Sequence, residues 1–386
     1  MSVEIRMTPI GPDLGRGEGK ANLKSFLNVV DYIYRDVPEY VRPLDFDLKG
    51  RLSTKNPFFL HADGALFVAY RNGKPVGRIT AQVDREHLKL YKDDVGFFGF
   101  IDTIDDQEVA TALLRAAEGW LKEKGMKVAR GPMSLSINEE LGCLIEGFDT
   151  PPMMMMPHHR PYQGALIEGA GYAKAKDLYA WRYVPGELSA RVQKANAEIR
   201  ALPEVSFRHV DMKNFERDVR ILMDIFNDAW SENWGFVPMT EDELKKMAED
   251  LKLIVIPELT QILMVDGEPV GVAVVLPNLN GMIHDLGGRL TPVGVAKLLW
   301  RLKVKGPDTA RLMLLGIRKK LRHVRKYAAL STFMYAELNT EGRRLGLRWG
   351  EISWTLEDNG PVNVAIKMMG GKIYKKYRVY ERALTA

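Results

Sequence analysis

Short apolar runs closed by turn residues alternate with longer runs of helical period along this chain of 386 residues. The run ALFVAYR is followed by Asn72-Gly73 and then RITAQV, and the run QILMV by Asp266-Gly267 and then VAVVL. Asn-Gly and Asp-Gly accept positive φ at both central turn positions, so each pair is expected to close a tight β-hairpin. The two hairpins share one five-residue phrase, Gly73-Lys74-Pro75-Val76-Gly77 and Gly267-Glu268-Pro269-Val270-Gly271, repeated at about half the chain length.

The order of elements beyond each hairpin repeats as well. A helix-like run at 111–126 leads to the strand KVARGPMSLSI, a long loop, a second helix PYQGALIEGAG and the aromatic strand YAKAKDLYAWRY. In the second half a helix around 328–346 leads to the strand EISWTLED, the short helix GPVNVAIKMMGG and the aromatic strand KIYKKYRVYER. Gly171 and Gly371 are expected to close the two short helices in the left-handed conformation. The pattern predicts a mixed α/β protein with two tandem domains, 1–186 and 205–386, each a twisted, mainly antiparallel sheet flanked by helices. The charged segment 187–204 reads as a connecting helix. A chain of this length is too large for one ordinary core. The first twenty residues, rich in Gly and Pro, read as a loose arm without the apolar core of a signal peptide.

Composition narrows the class. With 46% hydrophobic and 27% charged residues the chain is globular. A lone cysteine, Cys143, rules out an internal disulfide framework and fits a reducing cytoplasm. No Cys/His cluster has zinc spacing, so no metal is expected, and no apolar run reaches the eighteen residues of a spanning helix.

The net charge of +5 is unevenly spread. Between 297 and 326 lie Lys297, Arg301, Lys303, Lys305, Arg311, Arg318, Lys319, Lys320, Arg322, Arg325 and Lys326, against the single acid Asp308. Such a surface suits CoA phosphates, an acidic carrier protein, anionic lipid or nucleic acid, or is a solvated basic face. Within 292–304, PVGVAKLLWRLKV, the apolar residues fall at helical spacing beside Trp300. That fits either a membrane-interface helix or a scaffold helix with its stripe in the core.

The stretch WGEISWTLEDNGPVNVAIKMMGGKIYKKYRVYER (349–382) resembles the carboxyl-terminal part of the GNAT acyltransferase fold, with Asn359 before the short helix and Gly370 and Gly371 at its end. The first half resembles the same fold more weakly. The whole layout is similar to bacterial tandem-GNAT proteins, including the ceramide synthases, through NEELGCLIEGFDTPPMMMMPHHRPY and LYAWRY. The resemblance implies transfer of an acyl group from a thioester to an amine. It also implies a phosphate loop of the form Arg/Gln-x-x-Gly-x-Gly/Ala, whose N–H groups meet an anion at a helix start. Here the best-placed segment is Arg322-His323-Val324-Arg325-Lys326-Tyr327, with Arg325 and Tyr327 at the glycine positions. The first half has Asp105 and Asp106 there, which repel phosphate. Donor binding is therefore expected in the second half, through Arg318, Lys320, Arg322, Arg325, Lys326 and Asn359.

The reaction needs a base for the amine and a proton for the leaving thiolate, which Tyr often supplies in this fold. Loop 138–162 is richest in such groups: Glu139, Glu140, His158 and His159, with Tyr377 from the last strand as a proton-donor candidate. The alternative for each is a structural hydrogen bond. Met153–Met156 either line an alkyl channel or fill core, and Cys143 reads as a buried apolar residue. The leading expectation is an N-acyltransferase, with no permanently bound cofactor. It would move a long-chain acyl group from acyl-CoA or acyl carrier protein to a sphingoid-type lipid amine. The expected setting is cytoplasmic, in peripheral contact with the inner face of an anionic membrane, without DNA. The alternatives are a tRNA-dependent aminoacyl transferase and a non-catalytic lipid- or partner-binding protein.

Overall fold

The computed structural model describes residues 2–384. The chain forms two compact units: one holds the residues up to Leu178, with Ile283–Ala296 and those from Lys375 on, and the other Tyr179–Met282 and Lys297–Tyr374.

In chain order come β1 (Glu4–Pro9), α1 (Gly17–Ile33), α2 (Asp45–Arg51), β2 (Ala62–Arg71), β3 (Lys74–Asp84), α3 (Arg85–Tyr91), β4 (Val95–Thr103) and α4 (Gln107–Glu123). After these are β5 (Val128–Gly131), β6 (Met133–Ser134), β7 (Glu140–Leu141), β8 (Cys143–Glu146), α5 (Gln163–Gly169) and β9 (Ala173–Tyr183). Next are α6 (Ala190–Arg200), β10 (Val205–His209), α7 (Phe215–Trp230), α8 (Glu241–Ile254), β11 (Thr260–Val265), β12 (Glu268–Pro277), α9 (Leu279–Ile283) and α10 (Pro292–Trp300). The chain ends with β13 (Thr309–Ile317), α11 (Lys319–Arg322), α12 (Leu330–Arg344), β14 (Trp349–Leu356), α13 (Gly360–Met368) and β15 (Lys372–Ala383).

Both units carry the same strand order. In the first, β1, β2, β3 and β4 are successive antiparallel neighbours and β4 runs parallel to β5. In the second, β10, β11, β12 and β13 are antiparallel and β13 runs parallel to β14. The expected mixed α/β class, with mainly antiparallel pairing, is what forms. The end of β15 joins the first unit, where Tyr380–Ala383 pair antiparallel with β5.

The two hairpins are tight turns with φ of 54° and 74° at Asn72 and Gly73, and 50° and 77° at Asp266 and Gly267. They share an irregularity as well. Ala69 faces Gly77 and Tyr70 faces Pro75, which leaves Val76 as an extra residue; Leu263 faces Gly271 and Met264 faces Pro269, which leaves Val270. The repeated Pro-Val-Gly is thus a β-bulge, one residue unpaired on one strand.

The short helices α5 and α13 end alike, but the glycine equivalent to Gly171 is Gly370 and not Gly371. Gly171 (φ 92°) and Gly370 (φ 93°) take the left-handed conformation. The next residues, Tyr172 and Gly371, each donate back to a carbonyl five residues earlier, Ile167 and Ile366. That is the Schellman closure, and it needs the glycine at the first residue beyond the cap. The amino-terminal arm is also different from the expectation: Glu4–Pro9 form β1 against β2 because their backbone groups complete the sheet edge.

The helices pack as their periods require. Val109, Leu113, Ala117 and Leu121 of α4 lie in one core with Ile79, Phe98 and Ile101. In the second unit Leu330, Phe333, Met334 and Tyr335 of α12 share a core with Leu263, Ala273 and Leu312.

Candidate active site

The first unit buries a charged network that the strand pattern makes necessary. Arg78 and Asp102 sit in apolar strands, β3 and β4, with 4% and 6% of their surface exposed. Charges this deep persist only when paired. Arg78 Nε donates to Asp102 Oδ2 at 2.8 Å, and another guanidinium nitrogen donates to the Phe26 carbonyl at 3.1 Å. The Tyr34 hydroxyl, from the end of α1, has Asp102 Oδ1 and, at 3.0 Å, the His158 carbonyl as its acceptors. Burial, with Asp102 beside it, pushes the Tyr34 pKa well up, so the phenol keeps its proton. Tyr40 stacks on Tyr34 with ring centroids 3.8 Å apart and planes 5° from parallel.

His158 lies against this pair, its ring centroid 6.4 Å from Tyr34 and 6.5 Å from Tyr40. Its Nδ1 is buried and meets no hydrogen-bond partner among the described residues. Burial chiefly, with Lys375, His159 and Arg160 adding to it, draws the His158 pKa down to about 3. The ring is therefore neutral at working pH. His159 is different: its Nδ1 accepts from the Leu144 backbone N–H at 3.1 Å. That bond places its proton on Nε2, so His159 can donate but has no lone pair to spare. Burial lowers its pKa too.

Glu139 and Glu140 are held by one cation. Arg51, at the end of α2, donates from Nε to Glu139 at 2.8 Å and from a terminal nitrogen to Glu140 at 2.7 Å, with its guanidinium 5.1 Å from the Phe100 ring centroid. Burial raises the Glu139 pKa against the pull of Arg51. In this arrangement the two carboxylates anchor the start of the loop. Tyr377 is fully buried on β15 opposite Leu144, the residue whose N–H binds His159. Cys143, also fully buried, lies in the apolar core, and burial raises its thiol pKa. Met153 and Met156 are buried, Met154 and Met155 half-buried.

Sequence reasoning missed Tyr34, Tyr40, Arg78 and Asp102. Two had a readable signal: Arg78 and Asp102 are the charges in otherwise uncharged runs, GRITAQV and FFGFIDT.

In the second unit most of the expected phosphate-binding cations are engaged within the fold. Arg318 bonds Asp224 and the Pro269 carbonyl. Lys320 bonds Glu268 at 2.8 Å, Arg322 the Ile317 and Ala229 carbonyls, and Lys326 pairs with Glu204. The exposed Arg325 side chain makes no such pairing among the described residues. Arg311 is not on the basic surface: it is 4% exposed and bonds Ser353 at 2.8 Å, beside the fully buried Glu351. Glu351 also accepts from the Tyr374 hydroxyl. Asn359 stands at the start of α13 without capping it by its side chain.

The helices after β4 and β13 begin differently. Asp106 caps α4, accepting from the Val109 N–H at 3.1 Å while pairing with Arg71. No side chain caps α12, which starts after Ala329. The strand pairs also part differently. Register between β4 and β5 ends at Phe97–Arg130, and β6 fills the place beyond: Ser134 Oγ accepts from the Phe100 N–H, and a Cβ on Gly99 would stand 2.1 Å from the Met133 carbonyl. Register between β13 and β14 ends at Leu312–Ile352, and no further strand borders β13 among the described residues. An apolar cavity of about 60 Å³ lies near Leu312, Tyr335, Leu338, Ile352 and Met369.

No protein-family model matches the chain. The chain is 43% identical over 372 residues to the bacterial ceramide synthase of Caulobacter vibrioides, covering 94% of this chain and 95% of that protein. It is 42% identical over 367 residues to protein YghO of Escherichia coli, covering 95% and 94%. Among solved structures, a tandem GNAT protein from the clavulanic acid biosynthesis pathway matches 99% of both chains with a TM-score of 0.59 at 12% identity, a likeness of fold.

Proposed function

We propose that this chain, which belongs to the family of tandem GNAT acyltransferases that includes the bacterial ceramide synthase, moves a long-chain acyl group from a thioester to the amine of a sphingoid-type lipid base. Its acyltransferase class follows from the family. The acceptor rests on one observation, the 43% identity to a ceramide synthase along nearly the whole chain.

The amine nitrogen attacks the thioester carbonyl carbon, the C–S bond then breaks, and the thiolate leaves with a proton. The nitrogen becomes acidic as it bonds to carbon, so a weak base suffices to take its proton. His158 is the group proposed for this: neutral, desolvated, and with an Nδ1 that meets no hydrogen-bond partner among the described residues. Tyr34 holds the His158 carbonyl and thereby its backbone. His159, Glu139, Glu140 and Tyr377 position the loop around it.

For the donor, acyl-CoA is proposed, its phosphates meeting the uncapped start of α12 and Arg325. The capped α4 of the first unit, with a carboxylate already on its N–H groups, is the poorer place for an anion.

The test incubates the purified protein with a long-chain acyl-CoA and sphinganine and looks for the N-acylated base by mass spectrometry, with acyl carrier protein thioester as a second donor. Product from either donor supports the reading; none from both overturns it. His158→Gln should lower kcat by about 10²–10⁴ with donor binding kept. Near-normal turnover in that variant refutes the base and leaves the acceptor reading standing.

A further inference from the structure

The residues from Asp285 to Asp308 enclose a stretch without a single acid, holding Arg289, Lys297, Arg301, Lys303 and Lys305. Its helix, α10, continues as a widened helical turn through Lys305. An apolar helix normally finds cover. This one is covered only in part: Leu298 and Leu302 are half-buried, but Val293 is 77%, Leu299 53%, Trp300 54% and Val304 71% exposed. At 100° per residue Val295 lies about 140° from Trp300 within α10, and both are exposed, so the exposed apolar side chains span more than one stripe. Lys303 and Lys305 stand among them, exposed and without an ion pair among the described residues.

We infer that the segment from Lys297 to Lys305 is a membrane-docking element, with an anionic phospholipid bilayer as its partner. A groove on another protein takes one stripe of a helix, whereas a lipid interface receives apolar side chains over a wide arc. Trp at the headgroup level and lysines whose stems lie along apolar surface fit that setting. Charge selects between occupants. A second copy would face these lysines with its own, and the stretch offers no acid to answer them. An anionic bilayer supplies the opposite sign. No helix among the described residues is long and apolar enough to cross a membrane, so the contact is peripheral. The inference stands independently of the acyl-transfer reading.

The experiment is co-sedimentation of the full-length protein with phosphatidylcholine vesicles containing 30% phosphatidylglycerol (about the level that makes one lipid in three anionic) and with pure phosphatidylcholine vesicles. Each lysine near an anionic surface is worth about fivefold in partition, so Lys303→Gln with Lys305→Gln should weaken binding to anionic vesicles about 25-fold. Binding should also weaken steeply with salt. Trp300→Ala with Val304→Ser should weaken it without changing the salt slope. Far-UV circular dichroism and melting temperature check that each variant is folded, as exposed positions allow. Equal binding to both vesicle types, or no loss in folded variants, overturns the inference. So does a dimer in ultracentrifugation that Trp300→Ala and Val304→Ser dissolve, or an acidic carrier protein that competes the vesicles away.

Discussion

His158 makes the stability of the first unit depend on pH in a calculable way. Its pKa falls from the ordinary 6.5 to about 3 because burial disfavours the charged ring. Between those values the unfolded chain holds a proton that the folded chain does not, so acid favours unfolding. The contribution is complete above about pH 7 and is lost as pH falls toward 3. At about 1.36 kcal/mol per unit, pH 5 removes about 2 kcal/mol and pH 3 about 4 kcal/mol. Burial of His159 acts in the same direction. His158→Gln keeps a neutral polar side chain and deletes this titration. Urea unfolding of both proteins at pH 7.5 and pH 5 gives a difference in which all other titrating groups cancel. The advantage of the native protein over the variant should shrink by about 2 kcal/mol at pH 5. A difference constant within about 0.5 kcal/mol refutes the claim that this ring is buried and neutral.

Tyr34→Phe removes a donor to a buried carboxylate and should cost about 1.5–3 kcal/mol, read by urea unfolding, together with a fall in kcat as the His158 backbone loosens. Arg51→Met leaves two carboxylates without their cation and should destabilise by about 3 kcal/mol or more, and Glu139→Gln with Glu140→Gln in the same chain should restore most of it. Ala329→Asp gives α12 the cap it lacks, adding about 1 kcal/mol, yet its charge should raise KM for acyl-CoA several-fold if the donor phosphates lie there. Gly370→Ala forces a side chain to φ 93° and should cost about 1 kcal/mol or more in thermal unfolding.

How much was legible depended on whether the signal was local. Hairpin turns carry their conformation in two residues, so Asn72-Gly73 and Asp266-Gly267 announced the fold and the duplication. The Schellman glycine was legible only to within one residue, because Gly370 and Gly371 differ in φ and not in composition. Charge runs misled more. Eleven bases in thirty positions look like one surface, but Arg311 faces inward to Glu351, and Lys320 and Lys326 answer acids at Glu268 and Glu204, far away in sequence. Glu139, Glu140, His158 and His159 stand close together in the sequence, and only seven histidines occur in the chain. The roles of anchor, donor and base proposed for them rest on Arg51, Leu144 and Tyr34, partners that only folding brings near.

The two units differ at the place where the parallel strands part. In the first unit the chain itself occupies that place: Met133 and Ser134 close over Gly99, Gln82 donates to the Met133 carbonyl, and Phe100 donates to Ser134. Backbone groups satisfied by their own chain offer no edge to an extended thioester ligand. The adjoining helix start is capped and paired as well. In the second unit the strand pairing stops at Leu312–Ile352 and α12 begins uncapped. A copy that has filled its cleft with its own polypeptide gains buried hydrogen bonds and gives up ligand contacts; a copy that keeps it open does the reverse. Tyr34, Asp102, His158 and His159 are all buried in the first unit. If this division is right, filling the second unit's gap should abolish donor binding and leave the His158-linked pH dependence of stability intact. Gly316→Ala is unsuited to that purpose, since its Cβ would stand 2.2 Å from Trp230 and unsettle the core. Leu312→Trp, at the last paired position, is the better probe, read by calorimetric titration with acyl-CoA. Unchanged donor affinity in a folded Leu312→Trp protein places the donor elsewhere.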